Sequence, residues 1–193
     1  MNIVRKNGDR GIDYYVNDDT LDLKEISKDK RVILIGERHG NAKDEKLMLD
    51  LIKVFKPDYI LAEALADYKL HTTEDKKTHL SKDVEEHYYY EYTQHWVELS
   101  LKTNIPFIGI EYVKWDEKTY EGLSRVESFA TREKHFLNMI KTYSRLGKVI
   151  VVVGDTHLRT IKTKELGPVS PLYETFSKDP KAIIIRSEKG EIT

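Results

Sequence analysis

Three apolar runs, each long enough for one strand, constrain the fold of this 193-residue chain most strongly. They are RVILIG at residues 31–36, KVIVVVG at 148–154 and KAIIIRS at 181–187. Runs without polar alternation are typical of strands buried on both faces, as in a parallel sheet covered by helices. They therefore predict an α/β fold.

Helical and strand patterns alternate along the rest of the chain. Helices are predicted at residues 41–55, 83–102 and 125–147, with short ones near 156–165 and 170–177. Further strands are predicted at residues 2–6, 12–16, 58–64 and 105–111, with a turn at 7–11. This order predicts a mainly parallel central sheet with helices on both faces and a short N-terminal hairpin.

The chain contains no linker or low-complexity tract, which predicts one domain over residues 1–193. Residues 1–30 would be an N-terminal extension and residues 31–187 the α/β core. Residues 65–104, with the long helix, are a candidate reduced lid.

Composition excludes several classes of protein. The 32 basic and 33 acidic residues nearly balance, so we expect neither nucleic acid nor a membrane as partner. The absence of cysteine excludes disulfides, thiolate metal sites and a cysteine nucleophile. The N-terminal sequence lacks a signal-peptide core, and no apolar run approaches the roughly 20 residues of a membrane span. We therefore expect a cytoplasmic protein, such as a bacterial or phage one. The sequence does not indicate its oligomeric state.

Acidic residues and histidines follow the predicted strands. The pattern Gly-acid-x-His occurs twice, at residues 36–39 and 154–157. Because the carboxyl ends of parallel strands meet at one edge, six side chains should lie together there. This strand-end set comprises Glu37, His39, Glu63, Glu111, Asp155 and His157. The acids could simply cap the following helices, but crowded carboxylates and imidazoles suit proton transfer or metal binding.

The predicted helix 125–147 places two charges on an apolar stripe, which is unusual unless they face a polar pocket. The stripe consists of Phe129, Phe136, Ile140 and Tyr143, with Arg132 at its edge and Glu133 near its centre. Arg132 either snorkels outward over apolar surface or holds a site carboxylate or an oxyanion in its planar fork.

The segment HYYYEYTQHW at residues 87–96 is rich in aromatic residues. Tyr88, Tyr92 and His95 share one helical face with Val84 and Leu99. They either pack in the core with polar tips or line a ligand pocket.

These motifs resemble the superfamily of erythromycin esterases, ChaN haem-binding lipoproteins and TraB/Tiki proteins. The matching positions are Gly36-Glu37-Arg38-His39, Glu63, Arg132 and Gly154-Asp155-Thr156-His157, within residues 31–160. The segment GERHGNAKDEKLMLDLI is most similar to the ChaN-like branch. The resemblance implies one of three chemistries: water activation by a Glu/His pair without metal, metal-dependent peptide cleavage, or haem binding.

Our leading hypothesis is a small soluble hydrolase acting on a small molecule or a peptide. His39 or Glu37 would be the general base, and His157 a second acid/base or a metal ligand. Arg132 would stabilise an oxyanion, and Glu63 would orient a histidine or bind metal.

A divalent metal of the Mn, Fe or Zn type would find candidate ligands in Glu37, His39, Glu63 and His157. Arg38, Glu111, Asp155, Tyr88, Tyr92 and His95 are candidate substrate- or ligand-binding residues. The alternatives are a non-catalytic protein that binds haem or a small metabolite, and an inactive relative that binds a protein.

Overall fold

A computed structural model describes residues 2–7, 12–17, 22–37, 42–66, 69–72, 74–77, 97–111 and 122–187. The strands are β1 (Asn2–Asn7), β2 (Ile12–Asn17), β3 (Val32–Glu37), β4 (Tyr59–Ala66), β5 (Lys69–Leu70), β6 (Phe107–Glu111), β7 (Val149–Gly154) and β8 (Ala182–Ser187). The helices are α1 (Leu23–Ile26), α2 (Ala42–Phe55), α3 (Arg125–Leu146) and α4 (Pro171–Phe176), with a 3₁₀ turn η1 (Asp155–Leu158). Residues 74–77 and 97–101 are also helical.

The strands form one sheet in the order β1-β2-β8-β3-β7-β4-β6-β5. The six strands from β2 to β6 in this order are parallel to one another, and the edge strands β1 and β5 are antiparallel to them. This confirms the predicted α/β fold with a mainly parallel sheet. The predicted N-terminal hairpin is β1–β2, and it extends the sheet because β2 pairs with β8.

Helices cover both faces of the sheet, as predicted. In β3, Ile33 and Ile35 belong to the core that includes the apolar residues of α2. Val32 and Leu34 belong to a second core, which includes residues of α3 and α4. Successive side chains of a strand point to opposite faces, so an uninterrupted apolar run fills both cores.

Local signals set the bounds of α3. Ser124 and Glu127 form a capping box, each side chain accepting a hydrogen bond from the other residue's backbone N–H. Gly147 follows the last helical residue. The helix predicted at residues 125–147 is confirmed, and its register fixes where Arg132 and Glu133 lie.

The helix predicted near residues 156–165 is wrong. The helical turn ends at Leu158, because Arg159 is extended (φ −62°, ψ 138°), and Thr163 then forms an antiparallel bridge with Gly167. An extended residue cannot continue the i→i+3 or i→i+4 hydrogen bonding of a helix. The short helix predicted near 170–177 is present as α4.

The segment between β4 and β6 is described in part. Within the stretch 65–82, which the sequence suggests is a polar surface excursion, residues 69–70 form β5 and Lys76 is buried. Lys76 Nζ donates to the carbonyls of Ser100 and Ile105. Of the helix predicted at residues 83–102, residues 83–96 lie outside the described residues.

The lid and the single-domain organisation stay predictions. None of the described helices combines the length and apolar character needed to cross a bilayer.

Candidate functional site

The parallel register brings several predicted residues to one edge of the sheet. Glu37 ends β3 and is the Cα partner of Gly154 at the end of β7. Gly154 N donates to Glu63 Oε2 at 2.6 Å, which ties β4 to the same edge. Glu111 ends the next strand, β6. All three glutamates are buried, whereas Arg38 and His39 lie outside the described residues.

Arg132 holds two of these carboxylates. Its Nε and Nη2 donate to the two oxygens of Glu111 at 3.0 and 2.5 Å. Nη2 also donates to Glu63 Oε1 at 2.7 Å. Arg132 is 6% exposed, so the interpretation that it snorkels outward is wrong. The guanidinium faces the sheet edge because α3 presents this position toward β4 and β6.

His157 lies between two carboxylates. Its Nε2 is 3.1 Å from Glu63 Oε1, and its Nδ1 is 3.2 Å from Glu133 Oε1. The ring is 1% exposed. It stacks on Phe129 at a centroid distance of 4.9 Å and meets Phe136 edge-on at 5.1 Å. The apolar stripe of α3 therefore forms the walls around the imidazole.

Glu133 is held in turn by Arg159. Both terminal nitrogens of Arg159 donate to the Glu133 carboxylate, one to each oxygen. Arg159 Nε donates to the Pro168 carbonyl at 2.8 Å. Glu133 is 0% and Arg159 1% exposed, so this pair is withdrawn from water.

Six side chains thus form one line of alternating charge when His157 is protonated. In order of contact they are Glu111, Arg132, Glu63, His157, Glu133 and Arg159. We call this line the charged chain. Its members are buried, and each carboxylate in it contacts at least one cation.

The contacts within the charged chain shift the pKa values of its central pair, Glu63 and His157, in opposite directions. Burial by itself would raise the pKa of Glu63, but the nearby His157 and Arg132 and the Gly154 N–H hold it well below its ordinary value. Burial would lower the pKa of His157, but Glu63 and the hydrogen bond to Glu133 raise it to about 8. At neutral pH the pair is therefore a carboxylate and an imidazolium.

Asp155 forms a separate ion pair at the same edge. Arg186 Nε and Nη2 donate to its two oxygens at 2.8 and 2.5 Å. A Cβ on Gly36 would lie 2.6 Å from Asp155 Oδ1 and 3.0 Å from a methyl of Leu158. The glycine of the first Gly-acid-x-His motif therefore makes room for the acid of the second.

The described residues do not assemble the predicted metal site. No group of three or more Asp, Glu or His side chains placed to hold a metal ion occurs among them. Both ring nitrogens of His157 face carboxylate oxygens rather than a shared centre. The candidate ligand His39, and the predicted binding residues Tyr88, Tyr92 and His95, fall in segments that the structure does not describe.

Sequence reasoning missed three participants. Glu133 was noted as a charge on the stripe of α3 but given no role. Arg186 directly follows the apolar residues of the last strand, so extending the strand-end search from acids to arginines would have found it. Arg159 lies two residues after His157, and its contact with Glu133 joins residues 26 positions apart, which no local pattern signals.

Comparisons with known proteins support the fold. No family model matches the chain, and no curated protein matches it. A structure of ChaN of Campylobacter jejuni with cofacially bound haem is similar at 18% identity and a TM-score of 0.52, over 89% of this chain and 86% of that one. RRSP, a MARTX toxin effector domain from Vibrio vulnificus CMCP6, is similar at 12% identity and a TM-score of 0.54, over 86% of this chain and 36% of that one.

The chain thus corresponds to about a third of RRSP and to most of ChaN. At these identities the likeness concerns the fold alone. The resemblance to the erythromycin esterase and TraB/Tiki branches stays a prediction from the motifs. The chain has a fold similar to that of ChaN.

Proposed function

We propose that the chain is a small hydrolase that activates water at the carboxyl ends of its parallel strands. The observation that supports this most is the Glu63–His157 pair, whose two pKa values are shifted in opposite directions. Pairs of titratable groups whose surroundings shift their pKa values apart are characteristic of acid–base catalytic sites.

A purely structural role explains the charged chain less well. Taking ion pairs out of water carries a desolvation penalty, and apolar residues of similar volume often stabilise a core equally well or better. Both hydrophobic cores of this protein are built from apolar side chains alone. Placing six charged groups at one sheet edge therefore favours a role in binding or chemistry.

The proposal assigns the general base to Glu37 or His39. Glu63 is a poor base, because its lowered pKa gives it little tendency to accept a proton at neutral pH. Its oxygens already accept hydrogen bonds from Arg132, His157 and Gly154. Glu63 is better suited to orienting His157, which is one of the two roles predicted for it from the sequence.

His157 would act as the general acid, since it carries a proton at neutral pH. Its Nε2–H would turn from Glu63 to the leaving group, while Nδ1–H stays on Glu133. The base takes a proton from water, and the water oxygen attacks the carbonyl carbon of an ester, amide or peptide. His157 then donates a proton to the leaving group as that bond breaks, so the net reaction adds one water. The positive charges of Arg132 and His157 would stabilise the developing oxyanion.

A metal-assisted mechanism has weaker support from the described contacts. A histidine binds metal through the lone pair of a neutral ring nitrogen. Both nitrogens of His157 lie within 3.2 Å of carboxylate oxygens, so binding would require one of these contacts to break.

A panel of ester, amide and peptide substrates tests the proposal. We expect the wild type to hydrolyse at least one class, and the double variant His39→Ala/His157→Ala to lose at least about 100-fold in rate, since the general acid and one of the two candidate bases are removed. His71→Ala is the matched control, because exposed His71 follows β5, whose pairing places it at the opposite edge of the sheet. Full activity in the double variant would contradict the proposal.

Haem binding is a second candidate, favoured by the fold shared with ChaN. The described part of the site does not fit this group: His157 directs both nitrogens to carboxylates, and the carboxylates are bound to arginines. Of the predicted binding residues, Tyr88, Tyr92 and His95 would hold the haem iron.

Titration with hemin tests this second function. A saturable Soret band that shifts in Tyr88→Phe, Tyr92→Phe or His95→Ala would support it. A linear absorbance increase, identical in the wild type and the three variants, would remove it.

A further inference from the structure

We propose that Glu133 and Arg159 are positioning residues for His157: Arg159 fixes the plane of the Glu133 carboxylate, which holds the Nδ1–H of the imidazole and directs Nε2 to the sheet edge. The effect of this positioning on catalysis rests on the proposed function. The positioning itself is argued from contacts between described residues alone.

Arg159 is itself fixed on several sides. Besides its two bonds to Glu133, its Nη1 donates to the Thr156 carbonyl at 3.1 Å and its Nε to that of Pro168 at 2.8 Å. Its guanidinium carbon lies 5.7 Å from the centre of the Phe129 ring. A guanidinium held by carbonyls and an aromatic face can impose one orientation on a carboxylate.

Glu133 passes this orientation to the histidine. Its Oε1 accepts from Arg159 Nη1 and lies 3.2 Å from His157 Nδ1, while its Oε2 accepts from Arg159 Nη2 at 3.1 Å. The bidentate bond prevents the carboxylate from rotating away from the ring. The backbone of His157 is also held, because Ser170 Oγ donates to its carbonyl at 2.5 Å.

The charges facing His157 come from three parts of the fold. Glu63 belongs to β4, Glu133 and Arg132 to α3, and Arg159 to the segment after η1. Glu63 alone could bind either a neutral or a protonated ring at Nε2. The buried carboxylate on the other side selects a ring with a proton on Nδ1.

Nuclear magnetic resonance of protein labelled with ¹⁵N-histidine tests the positioning without a substrate. The His157 Nδ1–H proton, bonded to a buried carboxylate, should give a downfield signal that exchanges slowly with water in the wild type. In Arg159→Met and in Glu133→Gln we expect the signal to move upfield and to exchange at least about 10-fold faster. Arg159→Lys should fall between, because an ammonium keeps the charge but not the fork. Arg125→Met is the control, since Arg125 is an exposed arginine at the start of α3.

Kinetics on a substrate found in the panel give the catalytic consequence. In Arg159→Met we expect kcat to fall about 10- to 100-fold with KM changed less than about 2-fold, and Arg159→Lys to recover part of the loss. An unchanged Nδ1–H signal in folded Glu133→Gln and Arg159→Lys would overturn the positioning role, even if Arg159→Met does not fold. A changed signal in a protein that hydrolyses nothing would leave the positioning standing and refute the hydrolase.

Discussion

At the scale of single residues, the charged chain is held together by the geometry of arginine. Arg132 and Arg159 each bind one carboxylate with two nitrogens, and Arg132 reaches a second one. The planar guanidinium fork can bind both oxygens of a carboxylate, whereas a lysine ammonium lacks this geometry. The stability of the sheet edge should therefore depend on these two side chains more than on any exposed ion pair.

Replacing Arg132 with alanine should lower the free energy of unfolding by about 3–5 kcal/mol, because it leaves the buried Glu63 and Glu111 without their shared cation. Urea unfolding measures this change. Lys53→Ala, which removes an exposed partner of Asp50, is the control and should cost less than about 1 kcal/mol. An Arg132→Ala variant as stable as the control would show that the pairs contribute nothing.

The same contacts predict how stability depends on pH. The pKa of His157 is raised from 6.5 to about 8 in the folded protein. Its stabilising effect is therefore complete below pH 6.5 and is lost as the pH rises through about 8. The pKa of Glu63 is lowered, so its effect is present above 4.5, its ordinary value, and is lost on acidification.

Urea midpoints at about pH 6 and about pH 9 test the histidine contribution. We expect the wild type to lose more stability between these two pH values than His157→Gln, because the glutamine at position 157 does not titrate. An equal loss in both proteins would show that His157 is not charged in the folded state.

At the scale of single elements, two strand–turn units are fitted to one another. β3 and β7 are in register from Val32–Val149 to Glu37–Gly154, and η1 then folds Asp155 back against Gly36. The sequence predicted both strands and the acidic residues at their ends, because apolar runs and Gly-acid-x-His are local signals. It did not predict that Asp155 pairs with Arg186, since that contact joins residues 31 positions apart.

Gly36→Ala should destabilise the protein by about 1–3 kcal/mol, because the new methyl group would meet Asp155 Oδ1, which Arg186 holds in place. A double-mutant cycle with Asp155→Ala measures this coupling in urea unfolding. Removing the aspartate side chain should relieve part of the penalty. Strictly additive losses would contradict the steric account.

At the scale of the whole molecule, composition and pattern predicted the layout of the sheet but not all of its connections. Uninterrupted apolar strands require helices on both faces, and the two cores confirm this. The edge strand β5 has only two residues, too few for a recognisable pattern. The strand order, with β8 and β7 flanking β3, follows from tertiary packing and could not be predicted from local sequence.

The layout also explains why part of the site was predictable. Strand ends in a parallel sheet share one edge, so Glu37, Glu63 and Glu111 could be grouped without knowing the strand order. Glu133 and Arg159 reach that edge from α3 and from the segment after η1. Their pairing depends on how that segment folds back over α3, where a Cβ on Gly167 would lie 2.8 Å from Val126 Cγ1.

The pH dependence of kcat/KM, measured on the best substrate of the panel, tests the proposed hydrolase most directly. If His157 is the general acid, the rate should fall as the pH rises through about 8, and this fall should be absent from the residual rate of His157→Gln. A rate that stays level or keeps rising above that pH in the wild type would contradict the assignment of His157 and, with it, the catalytic role of the charged chain.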